Sequence, residues 1–390
     1  MKILLLAPHP FYQERGTPIA VDLLLRALSE RGDEVDVLTY HLGEDRNYRG
    51  VKIYRIKPIF AIRSIRPGFS WKKIYCDLFF FIKVFTMIRK KSYDLIHAVE
   101  ESVFMAYFFK PFFSIPYIYD MDSLMSMQIT DKFPALQRVA GILKYAESKA
   151  IRRAVAVIPV CDALAKEAEK LGASRITVLK DVALNHNHTA STVDKALDLR
   201  REFHLNHPIV MYIGNLEPYQ GIDLLLEAFR HVLQDHDASL IIIGGQERDI
   251  QRYKRRSQEM RIQDNVVFLG PKPIAHIQEY MAQADVLVSP RIKGTNTPMK
   301  IYSYMASGVP IVATDLYTHT QILSKDIAVL VQPEPAEMAA GIISLIRDPA
   351  RGKKLAQKAA EYVKQEHSYE KFKERLFSIY EDLEQYGKKP

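Results

Sequence analysis

Short unbroken apolar runs alternate along this chain with longer stretches whose apolar residues recur every three or four positions. The first run, Lys2–Ala7, has the length and continuity of a strand buried on both faces. A turn-rich loop follows from His9 to Pro18. Val21, Leu24, Leu25 and Leu28 then share one face of a helix predicted over residues 19–31, with Thr17 as N-cap, Pro18 at the first helical position and Gly32 as the closing glycine. Glu34–Thr39 reads as the second strand, and 51–56, Leu95–Val99, 116–119 and 155–159 continue the series with helical segments between them. The polar segment 185–207 breaks the rhythm. It restarts with strands at Ile209–Ile213, Ser239–Ile243, 266–269, Val286–Ser289, Ile311–Thr314 and 328–331, a helix at 223–233, and an almost wholly helical end over 335–386. Alternation of this kind predicts parallel sheets covered by helices on both faces. The fold expected is therefore α/β, two tandem doubly wound Rossmann-like domains with a ligand cleft between them.

Length agrees with that division, because single cores rarely grow past about 250–300 residues and this chain has 390. The domains expected are 1–184, a linker at 185–207, 208–366, and a C-terminal helix at 367–390 packing back toward the first domain. His186, His188, His204 and His207 in the linker lack a carboxylate or thiol at helical spacing, so they do not make a metal site. Cys76 and Cys161 fit reduced thiols. The apolar start covers only Ile3 to Ala7, short of a secretory core of about 7–15 residues, and no run reaches the roughly 18 apolar residues of a spanning helix. A cytoplasmic protein is expected. The net charge is +8 and the pI about 9.1, which admits nucleic acid, an anionic membrane surface or a phosphorylated substrate as partner.

Loops beyond the carboxyl ends of strands are where ligands bind in open α/β sheets. That rule selects Gly16-Thr17, Glu100 with Glu101, and Asp120-Met121-Asp122 in the first half. In the second half it selects Gly214 to Gly221 with Asn215 and Gln220, Gly244-Gly245-Gln246, and the segment from Arg291 to Lys300. The last is the most informative. Arg291, Lys293 and Lys300 surround Gly294, Thr295, Asn296 and Thr297 just before a predicted helix, a combination suited to a phosphate or diphosphate. An exposed loop with solvated lysines is the plainer reading and fits less well. The glycine-bounded loops at Gly16 and Gly214 serve equally as ordinary turns, and the four carboxylates serve equally as caps or as groups that bind or deprotonate a hydroxyl.

Lys300-Ile301-Tyr302-Ser303-Tyr304-Met305-Ala306-Ser307-Gly308-Val309-Pro310-Ile311-Val312-Ala313-Thr314 has the form glutamate, any residue, Met-Ala, any, Gly, any, Pro-Val-Val-Ala, with the glutamate replaced. Asn265 to Gly270, Ala284 to Pro290, Tyr212-Ile213-Gly214 with Gly221, and the Gly16 loop fall in the matching order. On these residues the whole chain resembles the retaining glycosyltransferases of sequence family four, which have the GT-B fold. The resemblance implies a hexosyltransferase whose second domain holds a nucleotide-diphosphate sugar and whose first domain holds a hydroxyl acceptor. The leaving phosphate takes the acceptor's proton, and neither metal nor cofactor is needed. Arg291 and Lys300 would steady the departing diphosphate, with Lys293, Asn296, Thr297, Gly214, Gly244 and Gln246 around the donor and Ser303 at the ribose. Gly16 and Thr17 would border the phosphate, with Asp122 and Glu101 near sugar or acceptor. The departures are specific. The family's two glutamates fall at Thr295 and Ser303, its first-loop Arg and Lys at Asn215 and Gln220, and its histidine after the central first-domain strand at Asp122. Compensating charge must then come from Arg291, Lys293 and Lys300.

Basic residues (Arg63, Arg66, Lys72, Lys73, Lys83, Arg89, Lys90 and Lys91) surround an aromatic helix with Trp71, Phe79, Phe80, Phe81 and Phe85. That pattern suits either a core helix or attachment to the inner face of an anionic bilayer, which would imply a lipid-linked or cell-surface glycan acceptor. No nucleic-acid motif accompanies it, and nucleic acid is not an expected partner. A sugar-nucleotide epimerase and a non-catalytic partner subunit remain as alternatives.

Overall fold

The computed structural model describes residues 1–14, 16–57, 60, 62, 65, 70–127, 137–183 and 197–386, without the side chains of 137–140 and 386. Residues 185–196 of the expected linker, with His186 and His188, lie outside these, as do Arg63 and Arg66. His204 and His207 are exposed. Two compact units result: Met1–Lys180 together with Lys373–Pro390, and Asp181–Phe372.

In the first unit six parallel strands, β1 (Lys2–Ala7), β2 (Glu34–Thr39), β3 (Val51–Arg55), β4 (Leu95–Val99), β5 (Tyr117–Met121) and β6 (Ala156–Pro159), form a sheet in the order β3-β2-β1-β4-β5-β6. Leu4 and Leu6 of β1 join a core with the helices Trp71–Lys90, Ser102–Phe113 and Gln137–Arg153. The alternate residues Ile3 and Leu5 are equally buried, which is why this strand carries no polar position after Lys2. The helix Gly16–Arg31 starts one residue ahead of Thr17, so Thr17 lies in its first turn rather than capping it. Nothing in the sequence distinguishes those two placements, since both leave Pro18 where its missing N–H is harmless.

The end of the chain belongs to this unit. Arg31 reaches Asp33 through two bonds of 2.7 Å and Glu384 of the last helix, Tyr369–Tyr386, at 3.1 Å. Tyr380 of that helix is fully buried with its hydroxyl 2.7 Å from His97 Nδ1 on β4. Residues 335–386 make three helices, Pro335–Arg347, Pro349–Glu366 and Tyr369–Tyr386, the second opened by the Asp348 side chain accepting from the Arg351 N–H at 2.9 Å.

The second unit repeats the plan. Strands β7 (Ile209–Ile213), β8 (Ser239–Ile243), β9 (Val266–Gly270), β10 (Val286–Ser289), β11 (Ile311–Thr314) and β12 (Val329–Val331) are all parallel, in the order β12-β11-β10-β7-β8-β9. Numbered from its own first strand, this is the 3-2-1-4-5-6 order of the first sheet. In such a sheet the connections leave in opposite directions from the two central strands, opening a crevice at their carboxyl ends. The pairs concerned are β1 with β4 and β7 with β10. Gly16 and Glu100 therefore follow one such pair, and Gly214 and Arg291 follow the other.

Candidate active site

At the end of β7 the chain turns at Gly214, with φ 153°. A Cβ there would stand 2.9 Å from the Tyr212 hydroxyl and 3.0 Å from Lys300 Nζ, so only glycine leaves the lysine its place. Gly221, with φ 74°, lies under the Pro290 carbonyl, where an added Cβ would meet the oxygen at 1.9 Å. This contact locks the loop after β7 against the end of β10. Gly244, after β8, packs on the Gly214 carbonyl.

Lys300 opens the helix Lys300–Ala306. Its ammonium donates to Gln220 Oε1 at 3.1 Å and sits 3.9 Å from the centroid of the Tyr212 ring. Tyr212 is held by donating to the Asn215 carbonyl at 2.6 Å, and the Tyr304 hydroxyl pins Ile213 by accepting from its N–H at 2.8 Å. Among the described residues no carboxylate pairs with Lys300. Burial, with Arg291 nearby, pulls its pKa well below the ordinary lysine value. With seven residues the helix adds little dipole, so the positive field here comes from side chains.

Arg291 holds its own loop. Nε donates to the Lys293 carbonyl at 2.8 Å, one terminal nitrogen to the Asn296 carbonyl at 2.9 Å and Thr318 Oγ1 at 3.1 Å, and the other to Asn296 Oδ1 at 3.1 Å. Gln321 holds the Thr295 carbonyl at 2.9 Å. Thr297 and Ser303 are buried, while Lys293 and Gln246 are exposed. The Thr297 hydroxyl has no hydrogen-bond partner among the described residues. The Asn215 side chain accepts from the Glu217 N–H at 3.2 Å, stabilising its own turn.

Behind the loop lies His319, which no motif points to. Nδ1 donates to the Thr314 carbonyl at 2.9 Å, Nε2 accepts from Ser289 at 2.9 Å, and the Thr314 hydroxyl donates to the Arg291 carbonyl at 2.6 Å. Burial lowers the His319 pKa to about 3, so the ring is neutral and the chain of bonds ties β10, β11 and the Arg291 loop together.

The first unit gathers charge of the opposite sign. Glu100, at φ 51°, follows β4 and accepts from Ser123 Oγ at 3.1 Å. Glu101 is ion-paired to Lys73, and Asp77 accepts from the Tyr40 hydroxyl. Asp120 lies 3.1 Å from His97 Nε2, one strand away. Burial first, then the neighbouring Glu101, raises the pKa of Glu100 to about 7 and that of Asp77 to about 6. Glu101 thus has a cation of its own, and Glu100 and Asp77 are carboxyls held above the ordinary range. Thr17 is half-buried and Gly16 open to solvent at the head of its helix. Asp122 is half-buried, directly after β5. Among the described residues no group of three or more His, Cys, Asp or Glu could hold a metal ion.

Residues 15–180 match the family described as Glycosyltransferase Family 4, and residues 196–366 match Glycosyl transferases group 1. The chain belongs to the group 1, family-four glycosyltransferases. An uncharacterized glycosyltransferase of Methanocaldococcus jannaschii is 24% identical to it over 387 residues, 94% of each chain. The phosphatidyl-myo-inositol mannosyltransferase of Mycobacterium leprae is 28% identical over 185 residues, 46% of this chain and 48% of its own. Among solved structures, HepE of Anabaena in complex with UDP-glucose superposes with a TM-score of 0.76 at 19% identity, covering 98% of this chain and all of its own. The GT-B fold expected from the resemblance is therefore the one observed.

The buried groups of this glycosyltransferase set two stability tests. The Glu100 pKa is raised, so the native state holds the proton longer than the unfolded chain, and stability falls as pH rises from about 4.5 to about 7. Glu100→Gln should therefore stabilise the protein at pH 8 by about 1–3 kcal/mol and not at pH 4, read from denaturant midpoints at the two pH values. The His319 pKa is lowered, so the unfolded state binds the extra proton and stability falls as pH drops from about 6.5 toward 3. His319→Ala should cost about 1–3 kcal/mol at pH 7 and flatten that acid slope in a melting series.

Proposed function

We propose that this glycosyltransferase moves a hexosyl group, with retention at the anomeric carbon, from a nucleotide-diphosphate sugar to a hydroxyl acceptor carried on a lipid or cell-surface glycan at a membrane. The observation that carries the reading is the Lys300 ammonium, desolvated beside Arg291, at the carboxyl ends of β7 and β10, with an amide and a ring in place of a carboxylate. A site with that surplus of positive charge favours an anion. The UDP-glucose bound by HepE and the lipid named for the mycobacterial mannosyltransferase support the donor and acceptor classes.

In this reading the donor diphosphate lies against Lys300, with Gly214, Gln220 and the Thr295–Thr297 segment around it and Ser303 toward the ribose. Arg291 acts through the loop it shapes as well as by its charge. The bond from the anomeric carbon to the phosphate oxygen breaks as the bond to the acceptor oxygen forms. The acceptor's proton passes to the leaving phosphate, so no protein base is required. In the first unit, Asp122, Glu101 and the protonatable Glu100 bind hydroxyls of sugar or acceptor.

The charge placement gives a measurable linkage. A bound diphosphate raises the lowered Lys300 pKa back toward the ordinary lysine value, so binding should take up protons in the pH range where the free lysine titrates and weaken as pH rises through it. Calorimetry of nucleotide diphosphates and their sugar conjugates, repeated in buffers of different ionisation enthalpy, reads that uptake directly. Lys300→Gln should weaken the binding by about 1.5–3 kcal/mol, roughly ten- to a hundredfold, and abolish the buffer dependence. If no diphosphate nucleotide binds, the donor assignment is wrong. Binding without transfer would make the chain a non-catalytic partner, and donor turnover without acceptor would make it an epimerase.

A further inference from the structure

The helix Trp71–Lys90 buries one face and leaves another bare. Cys76, Phe80, Val84, Met87 and Ile88 enter the core, while Trp71, Ile74, Leu78, Ile82 and Phe85 are exposed, Trp71 by 82% and Leu78 by 59%. The exposed five follow steps of three and four residues, so they form one stripe about 21 Å long. Phe81, beside the stripe, packs on Phe108 of the neighbouring helix Ser102–Phe113 at 5.3 Å between ring centroids. Phe108 and Phe112, the latter 71% exposed, extend the apolar surface onto that second helix. A patch of this continuity on a folded surface marks an interaction site.

Charge decides the partner. Lys72, Lys83 and Lys90 fall within about 20° of one another and about 120–140° round the helix from the middle of the stripe, forming a basic row on its flank. Arg89 stands at the end of the stripe, its guanidinium 5.5 Å from the Phe85 ring. The one carboxylate on this helix, Asp77, is turned inward to Tyr40, and the helix Ser102–Phe113 carries none. A second copy of the chain laid face to face would set cations against cations. An anionic bilayer offers both what the stripe lacks, acyl chains for the apolar residues and headgroup phosphates for the basic row. No helix of the described residues is long and apolar enough to cross a membrane.

We infer that the stripe Trp71–Ile74–Leu78–Ile82–Phe85, with Phe108 and Phe112, is a docking face that lies in the interface of an anionic bilayer. It deepens the reading of a lipid-carried acceptor by naming the surface that meets the lipid. The test needs neither donor nor acceptor, so the two readings fail separately. The full chain is sedimented with vesicles of phosphatidylcholine alone and of phosphatidylcholine mixed with phosphatidylglycerol, at low and high salt. The wild type should partition onto the mixed vesicles, less at high salt, and weakly onto neutral ones. Leu78→Glu with Ile82→Glu should lower that partition at least about tenfold, with circular dichroism and melting temperature unchanged because both side chains face solvent. Lys83→Gln with Lys90→Gln should reduce the preference for anionic vesicles severalfold. A wild type that stays in the supernatant with mixed vesicles, or a Leu78→Glu/Ile82→Glu variant that binds like it, overturns the inference. So does a dimer in light scattering that the same pair of substitutions makes monomeric without any vesicle binding.

Discussion

A lysine ammonium drawn partly out of water, met by one amide oxygen and an aromatic face, is the constraint on which the loops around it in the second unit depend. A ring under a cation contributes about 0.5–2 kcal/mol, and removing an ion from water costs several. The balance leaves the cation short of compensation, and the surroundings keep it so. Gly214 has no Cβ to push the ammonium out, Gln220 is itself buried, and Tyr212 is held against the Asn215 carbonyl. The Arg291 loop supplies the second positive charge while using its donors to hold its own main chain.

The first unit presents the reverse imbalance at the equivalent place in its sheet. Glu100, Glu101 and Asp77 crowd around Lys73, all half-buried, so acid outnumbers base there and the surplus appears as the raised pKa values of Glu100 and Asp77. Two copies of one strand order thus present opposite electrostatic demands at the ends of their central strands. One is suited to an anion and the other to groups that donate hydrogen bonds, such as sugar hydroxyls.

The two-unit α/β plan was legible because buried parallel strands are continuous apolar runs, and every strand expected is present within two residues of its observed ends. The start of the first helix was misplaced because Thr17 and Pro18 suit an N-cap pair and a first turn alike. Cations in the Arg291 loop were visible as letters, but their division of labour was not. Which of Arg291 and Lys300 faces loop carbonyls depends on a turn closed by Thr318 and Gln321, 27 and 26 residues beyond their partners. His319 was invisible for the same reason, since its partners Ser289 and Thr314 sit on separate strands. Tyr212 was legible as part of β7 and of the match at Gly214, but not as the ring beneath Lys300. The aromatic helix at 71–90 read equally as core or surface, and only its packing separated the two faces.

The Arg291 loop is fastened through main-chain oxygens at three sites, the carbonyls of Lys293, Thr295 and Asn296. Peptide oxygens are common to every residue type, so the bond at residue 293 does not depend on which side chain stands there. Mutation can therefore explore that position over evolutionary time while the turn persists. That is a route by which what the loop selects could be retuned on an unchanged scaffold.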